Sequence, residues 1–190
     1  MLGKQAKILS EIHITKLLDY SLQTRHILRD RALVLLSVKA GLRAAEIAYL
    51  TWEMIVDPTG HIGATIDLQN VAAKNGHGRR IPIHPDLKLA LINLRQQRTA
   101  GPVILSERGS RMHPVSIVNW FAKAYRILDL AGCSSHSGRR TFITRAARLV
   151  HRAGGSLRDV QILAGHRSIQ TTQRYIDGDS DAQRKLVSLL

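Results

Sequence analysis

The strand signals in this chain fall within residues 52–83, and helix-period apolar patterns occupy both sides of them. That distribution restricts the fold to a predominantly helical α+β domain with a small antiparallel β-sheet near residues 52–83. Within the stretch, apolar runs at 52–56 and 62–68 flank Asp57-Pro58-Thr59-Gly60, whose residues suit a tight turn. A third run, 79–83, follows Lys74-Asn75-Gly76-His77-Gly78. Asn75-Gly76 matches the positive φ values of a hairpin turn, which places Lys74 beside its tip.

Helices are expected on either side. Residues 12–22 form a weak pattern and 28–40 a strong one, with Leu28, Ala32, Leu35, Leu36 and Lys39 at helical spacing, Leu33 and Val34 widening the apolar face, and Gly41 as the stop. A helix over 43–50 turns Ile47 and Leu50 inward. Pro85 opens a helix over 86–98, and His113-Pro114 leads into 115–128. Ser135 is a candidate N-cap for 136–150, residues 157–164 end at Gly165, and Ser168 caps a helix that carries Tyr175. The expected organisation is one domain over 1–177 and a C-terminal tail over 178–190.

Charge narrows the class of partner. There are 28 Lys+Arg against 14 Asp+Glu, a net charge of +14 over 190 residues. A compact domain this basic points to a polyanion, most often nucleic acid. Aromatic residues are only 4% of the chain, which disfavours single-strand recognition by base stacking and leaves duplex phosphate. The lone Cys133 excludes an internal disulfide and a cysteine-rich zinc site. No apolar run approaches the ~20 residues of a membrane span, and the opening MLGKQAKILSEIHITK has no secretory core. A cytoplasmic, nucleoid-associated protein is expected.

Taken singly, the polar motifs are ambiguous. His136 and Arg139 are three apart and share a helical face in a first turn that favours an anion; the pair serves a phosphate or is a solvated basic turn. His166 after Gly165 is a ligand-facing residue or a helix-end surface residue. Tyr175 is a reactive phenol or half-buried packing. Arg43 binds an anion or pairs with Glu46, three residues on. Lys74 is a site residue or a solvated surface lysine.

Their ordered combination resembles the tyrosine recombinase (phage integrase) family, over about residues 12–176. Gly41-Leu42-Arg43-Ala44-Ala45-Glu46 matches the segment of the first catalytic arginine, Arg43. The family's hairpin lysine falls on Lys74, ahead of the strand at residues 80–83. The His-x-x-Arg pair falls on His136 and Arg139, the Leu-Gly-His segment on Ala164-Gly165-His166, and the nucleophile segment Thr-Thr-x-x-Tyr on residues 171–175, ending at Tyr175. Gly138, Arg140 and Ala164 depart from the usual residues at supporting positions. The resemblance implies the family's catalytic-domain fold, without the N-terminal core-binding domain most members carry.

It also implies a chemistry. Two guanidinium groups, Arg43 and Arg139, stabilise charge that builds on the non-bridging oxygens of a phosphodiester. His136 accepts or shuttles the proton of Tyr175, Lys74 protonates the departing 5′-oxygen, and His166 binds a phosphate oxygen. No cofactor or metal is required. The implied partners are double-stranded DNA, three further copies in a homotetramer on paired sites, and an accessory DNA-bending or clamping protein, with residues 178–190 docking on a neighbouring protomer. Three rival readings remain: a non-catalytic DNA-binding regulator that keeps the fold, a tyrosine-type topoisomerase, and a ribosome-associated basic protein, which needs neither Tyr175 nor the ordered motifs. The resemblance requires both guanidines to open onto one place.

Overall fold

A computed structural model describes residues 6–69, 78–96, 98–175 and 187–188. The chain packs as two units, residues 1–142 and 143–190.

The first unit is built around a helix that is apolar on nearly every side. Helix α1 (Glu11–Leu22) is capped by Ser10, whose hydroxyl accepts the His13 N–H at 3.2 Å. Helix α2 (Ile27–Lys39) buries every residue from Ala32 to Val38, so it is a central helix and not a half-solvated one. Each fully buried leucine there contributes about 1.5–3 kcal/mol. Leu28 lies one turn before the core and is exposed. Helices α3 (Ala44–Tyr49) and α4 (Pro85–Arg95) pack against α2, as does α1. Helix α5 (Pro114–Ile127) closes the far side on α1 and α3, with Tyr20, Trp120, Phe121 and Tyr125 forming a chain of ring contacts. Ile47 and Leu50 point inward as expected.

The sheet has two strands, β1 (Thr65–Leu68) and β2 (Arg79–Pro82), antiparallel with Leu68 opposite Arg79 and Asp67 opposite Arg80. One face carries Ile66, Leu68, Arg79 and Ile81, all buried; the other shows Asp67 and Arg80 to solvent, where they form a two-point ion pair. The Asp57 turn is present, its carboxylate accepting the Thr59 and His61 N–H groups. The expected hairpin tip, Lys74 with Asn75 and Gly76, lies outside the described residues.

Three expectations are corrected. Residues 52–56 are not a strand: Trp52–Met54 is a 3₁₀ turn, and Val56 makes an isolated bridge to Ile62. The successive residues Met54 and Ile55 are both buried, which a strand with one covered face cannot arrange. The backbone on either side of Thr51 pairs instead with the segment at 101–103 (Trp52 N–H to Gly101 O 2.9 Å, Val103 N–H to Leu50 O 3.0 Å). Second, helix α6 (Ser137–Leu149) starts two residues after Ser135, and its lead-in turn is closed by Ser134 and Ser137. Third, the helix after Ser168 stops before Tyr175.

The second unit contains the end of α6, a 3₁₀ segment Val150–Ala153, α7 (Leu157–Ala164) and α8 (Ile169–Gln173). Helix α7 is capped by Ser156 and Asp159 (Ser156 N–H to Oδ2 2.7 Å), ends at Gly165 and packs on α8. Residues 178–186 of the expected tail lie outside the described residues.

Candidate active site

The site in the first unit starts from the end of α2. Gly41 sits at φ +64°, and the Leu42 N–H reaches back to the Leu36 carbonyl at 3.2 Å. A side chain on Gly41 would also overlap the ring of Phe142. Gly41 therefore lets the chain reverse at once, with Leu42 fully buried behind it, and delivers Arg43 to the head of α3.

Arg43 is held twice by Glu46. Its backbone N–H donates to Oε2 at 2.9 Å and its Nη1 to Oε1 at 2.8 Å. Glu46 itself is completely buried. A buried carboxylate persists only with charge-assisted partners, and β2 supplies the strongest one. Arg79, also buried, donates Nη1 to Oε1 at 2.9 Å and Nη2 to Oε2 at 3.0 Å. Burial pushes the Glu46 carboxyl up, but the Arg79 fork and its charge, the Arg43 N–H and the charge of Arg139 outweigh it and hold the pKa down to about 2.

Arg139 completes the cluster from α6. Its Nη1 donates to the Gly41 carbonyl at 2.6 Å and lies 3.9 Å from Glu46 Oε2. Helix α6 comes close enough because residue 138 is glycine: a Cβ there would overlap Ser37 Oγ and press on Val38. The unusual Gly138 is thus a packing requirement between α6 and α2. Thr141 ties the same helix to the N-terminal segment by accepting the Leu9 N–H at 2.8 Å.

Arg43 and Arg139, 96 residues apart in sequence, therefore meet at one carboxylate. Three guanidinium groups surround Glu46, so these four side chains carry a net charge of +2. Such a group favours an anion with two or more oxygens. His136 lies just before α6, exposed, with its carbonyl accepting the Arg140 N–H at 2.9 Å. It is not inside the first helical turn, as its spacing from Arg139 suggested.

In the second unit, His166 and Tyr175 are neighbours. Gln161 holds the His166 main chain from both sides, accepting its N–H at 3.1 Å through the backbone carbonyl and donating Nε2 to its carbonyl at 2.9 Å. The His166 ring bonds through Nδ1 to the buried Thr172 hydroxyl at 2.9 Å and stacks on Tyr175, centroids 5.5 Å apart and planes 24° apart. Tyr175 is half-buried in a turn after α8, its N–H bonded to the Thr172 carbonyl at 3.0 Å. The sixth expected residue, Lys74, lies outside the described residues.

Arg79 and Gln161 escaped the sequence reading, and Thr172 entered it only as part of the Thr-Thr-x-x-Tyr segment. Arg79 left a signal: in a strand of period two it shares the face of Ile81, and an arginine on an apolar face needs a buried acid.

The overall architecture is that of solved DNA-recombining enzymes. The XerA recombinase superposes with a TM-score of 0.72 at 22% identity, over 96% of this chain and 64% of that one. The Tn1549 transposon integrase, solved with a circular-intermediate DNA, gives 0.75 at 16% identity, over all of this chain and 67% of that one. The chain belongs to the phage integrase family, whose model matches residues 7–181. Among curated proteins, the tyrosine recombinase XerC of Pelobacter propionicus is 30% identical over 153 residues, 78% of this chain and 47% of its own length. The chain spans about half the length of the curated relatives it matches. The family expected from the ordered motifs is thus the family found.

Proposed function

We propose that this chain is the catalytic part of a site-specific DNA recombinase that cuts and rejoins duplex DNA through a 3′-phosphotyrosyl intermediate. The observation that carries this reading is the meeting of Arg43 and Arg139 at the buried Glu46. Two fixed guanidinium groups on one site suit a phosphodiester that gains charge on its non-bridging oxygens as it is attacked.

In this reading the Tyr175 oxygen attacks the scissile phosphorus while His136 takes its proton. The bond from phosphorus to the 5′-oxygen breaks, and Lys74 gives that oxygen a proton. The products are a 3′-phosphotyrosyl ester and a 5′-hydroxyl. His166, held by Thr172, donates to a phosphate oxygen. The ester keeps the energy of the broken bond, so a second strand's 5′-hydroxyl reseals it without ATP or metal. Residues 1–177 form the catalytic domain, and residues 178–190 dock on a neighbouring copy in a tetramer on two duplexes, within the nucleoid. An accessory DNA-bending or clamping protein assists.

The test is covalent capture. A pool of fluorescent duplexes of randomised sequence is nicked so that the released 5′-hydroxyl fragment diffuses away, then incubated with the protein and run on a denaturing gel. A protein–DNA adduct is expected, and Tyr175→Phe abolishes it while retaining DNA binding. Binding without any adduct would favour a regulator that keeps the fold. Adduct formation with plasmid relaxation but no two-site exchange would favour a topoisomerase.

A further inference from the structure

The four lone-pair sites of the Glu46 carboxylate are all occupied: Oε1 by Arg43 Nη1 and Arg79 Nη1, Oε2 by the Arg43 N–H and Arg79 Nη2. Arg139 stands just outside, Nη1 at 3.9 Å from Oε2, and donates to the Gly41 carbonyl instead. We propose that Arg79 is a positioning residue: by saturating Glu46 it prevents the carboxylate from drawing Arg139 into a bidentate pair, and so holds the Arg139 fork at the place where a scissile phosphate is bound. This rests on the reading of Arg139 as a phosphate ligand.

The physical argument is one of competition. A buried carboxylate with two vacated sites pulls the nearest guanidinium into them, because in a low-dielectric interior an unmet acceptor is costly and a charge-assisted fork is the strongest available remedy. Removing Arg79 vacates two sites, and among the described residues the further guanidinium beside them is that of Arg139. Arg43 already spends its backbone N–H and one guanidinium nitrogen on the same acid and stays where it is. Arg79 is rigidly placed for this task. It leads β2, opposite Leu68, with its side chain buried on the sheet's inner face. A displacement of about 1 Å of a transition-state ligand costs on the order of 100-fold in rate.

The experiment uses the full chain with Arg79→Met, Arg79→Lys, Glu46→Gln and the double variant Glu46→Gln/Arg79→Met, each checked for a cooperative thermal transition. A crystal structure of Arg79→Met is expected to show Arg139 within hydrogen-bond distance of Glu46; Arg139 unmoved overturns the proposal, whether or not the protein cuts DNA. On a duplex that forms the adduct, the single-turnover cleavage rate at saturating DNA is expected to fall about 100-fold in Arg79→Met with duplex affinity nearly unchanged. Arg79→Lys, which fills one site, lies between.

Among the described residues, the charged groups facing Glu46 are Arg43 from the head of α3, Arg79 from β2 and Arg139 from α6. With Arg79 gone, protonating Glu46 releases Arg139. The Arg79→Met rate is therefore expected to recover relative to the wild type as pH falls, and in the double variant at neutral pH. A loss that neither low pH nor Glu46→Gln relieves identifies a merely structural arginine and refutes the proposal. If Arg79→Met does not fold, the same readouts are taken on Arg79→Lys. Absence of any adduct from the wild type refutes the catalytic reading instead, and the crystallographic arm still decides whether Arg79 keeps Arg139 off the carboxylate.

Discussion

Arg79 closes a two-point fork on Glu46, Nη1 to Oε1 at 2.9 Å and Nη2 to Oε2 at 3.0 Å, between two residues 33 positions apart that are both buried. The pair fastens the sheet to α3 and gives the arginine cluster a single electrostatic centre. Because the carboxylate is solvent-free, its state of protonation is coupled to folding.

Acid therefore weakens the fold through this group. The folded carboxyl lies near 2 against an ordinary 4.5, so the unfolded chain binds the proton first as pH falls. Its contribution is complete above about pH 4.5 and is lost as pH drops toward 2. The shift corresponds to on the order of 3 kcal/mol. Urea titrations from pH 7 down to pH 2.5 are expected to show this loss in the wild type. In Glu46→Gln, already weaker at pH 7, that acid-dependent component is missing.

Gly138 sets how closely α6 approaches α2. Gly138→Val is expected to lower stability by about 1–3 kcal/mol through overlap with Ser37 and Val38. Ser37→Gly in the same chain removes the clash with Ser37 and restores part of the loss. Equal urea midpoints for Gly138→Val and the wild type would contradict this contact.

Thr172 is the buried anchor of the His166 ring. Thr172→Val keeps the volume and removes the hydroxyl that bonds Nδ1, at a cost of about 1 kcal/mol in stability. The ring then turns more freely beside Tyr175. The expected outcome is a cleavage rate at saturating DNA reduced by about tenfold with duplex affinity retained, since the ring's orientation is lost while the arginine cluster is untouched. Single-turnover kinetics beside a binding isotherm separate the two.

Arg139→Lys keeps the charge but loses the fork. A single ammonium cannot both donate to the Gly41 carbonyl and offer two parallel N–H groups to a phosphate. Adduct formation is expected to slow by about 100-fold or more, corresponding to ~3 kcal/mol of transition-state stabilisation. A substitution that left the rate intact would remove Arg139 from the chemistry.

Local pattern accounts for much of the architecture. Helices α1, α2 and α7, the Asp57 turn and the pairing of two strands within residues 52–83 follow from apolar spacing, capping residues and turn chemistry. It failed at 52–56, where β-prone residues are drawn into a 3₁₀ turn because Trp52, Met54 and Ile55 all find the core. It also extended the helix after Ser168 too far: α8 ends at Gln173 and Tyr175 lies in the turn beyond, stacked on the ring of His166.

By itself the sequence determined most of the helices and turns, the family and the order in which reactive residue types occur along the chain, because those depend on near neighbours and on residue identity. Only the tertiary structure decided that Arg43, Arg79 and Arg139 share Glu46. The reason is physical: a buried charge must find its partners wherever the packed chain brings them, and that requirement is met across 96 residues of sequence through the reversal at Gly41, the inner face of β2 and the close seat of α6 at Gly138.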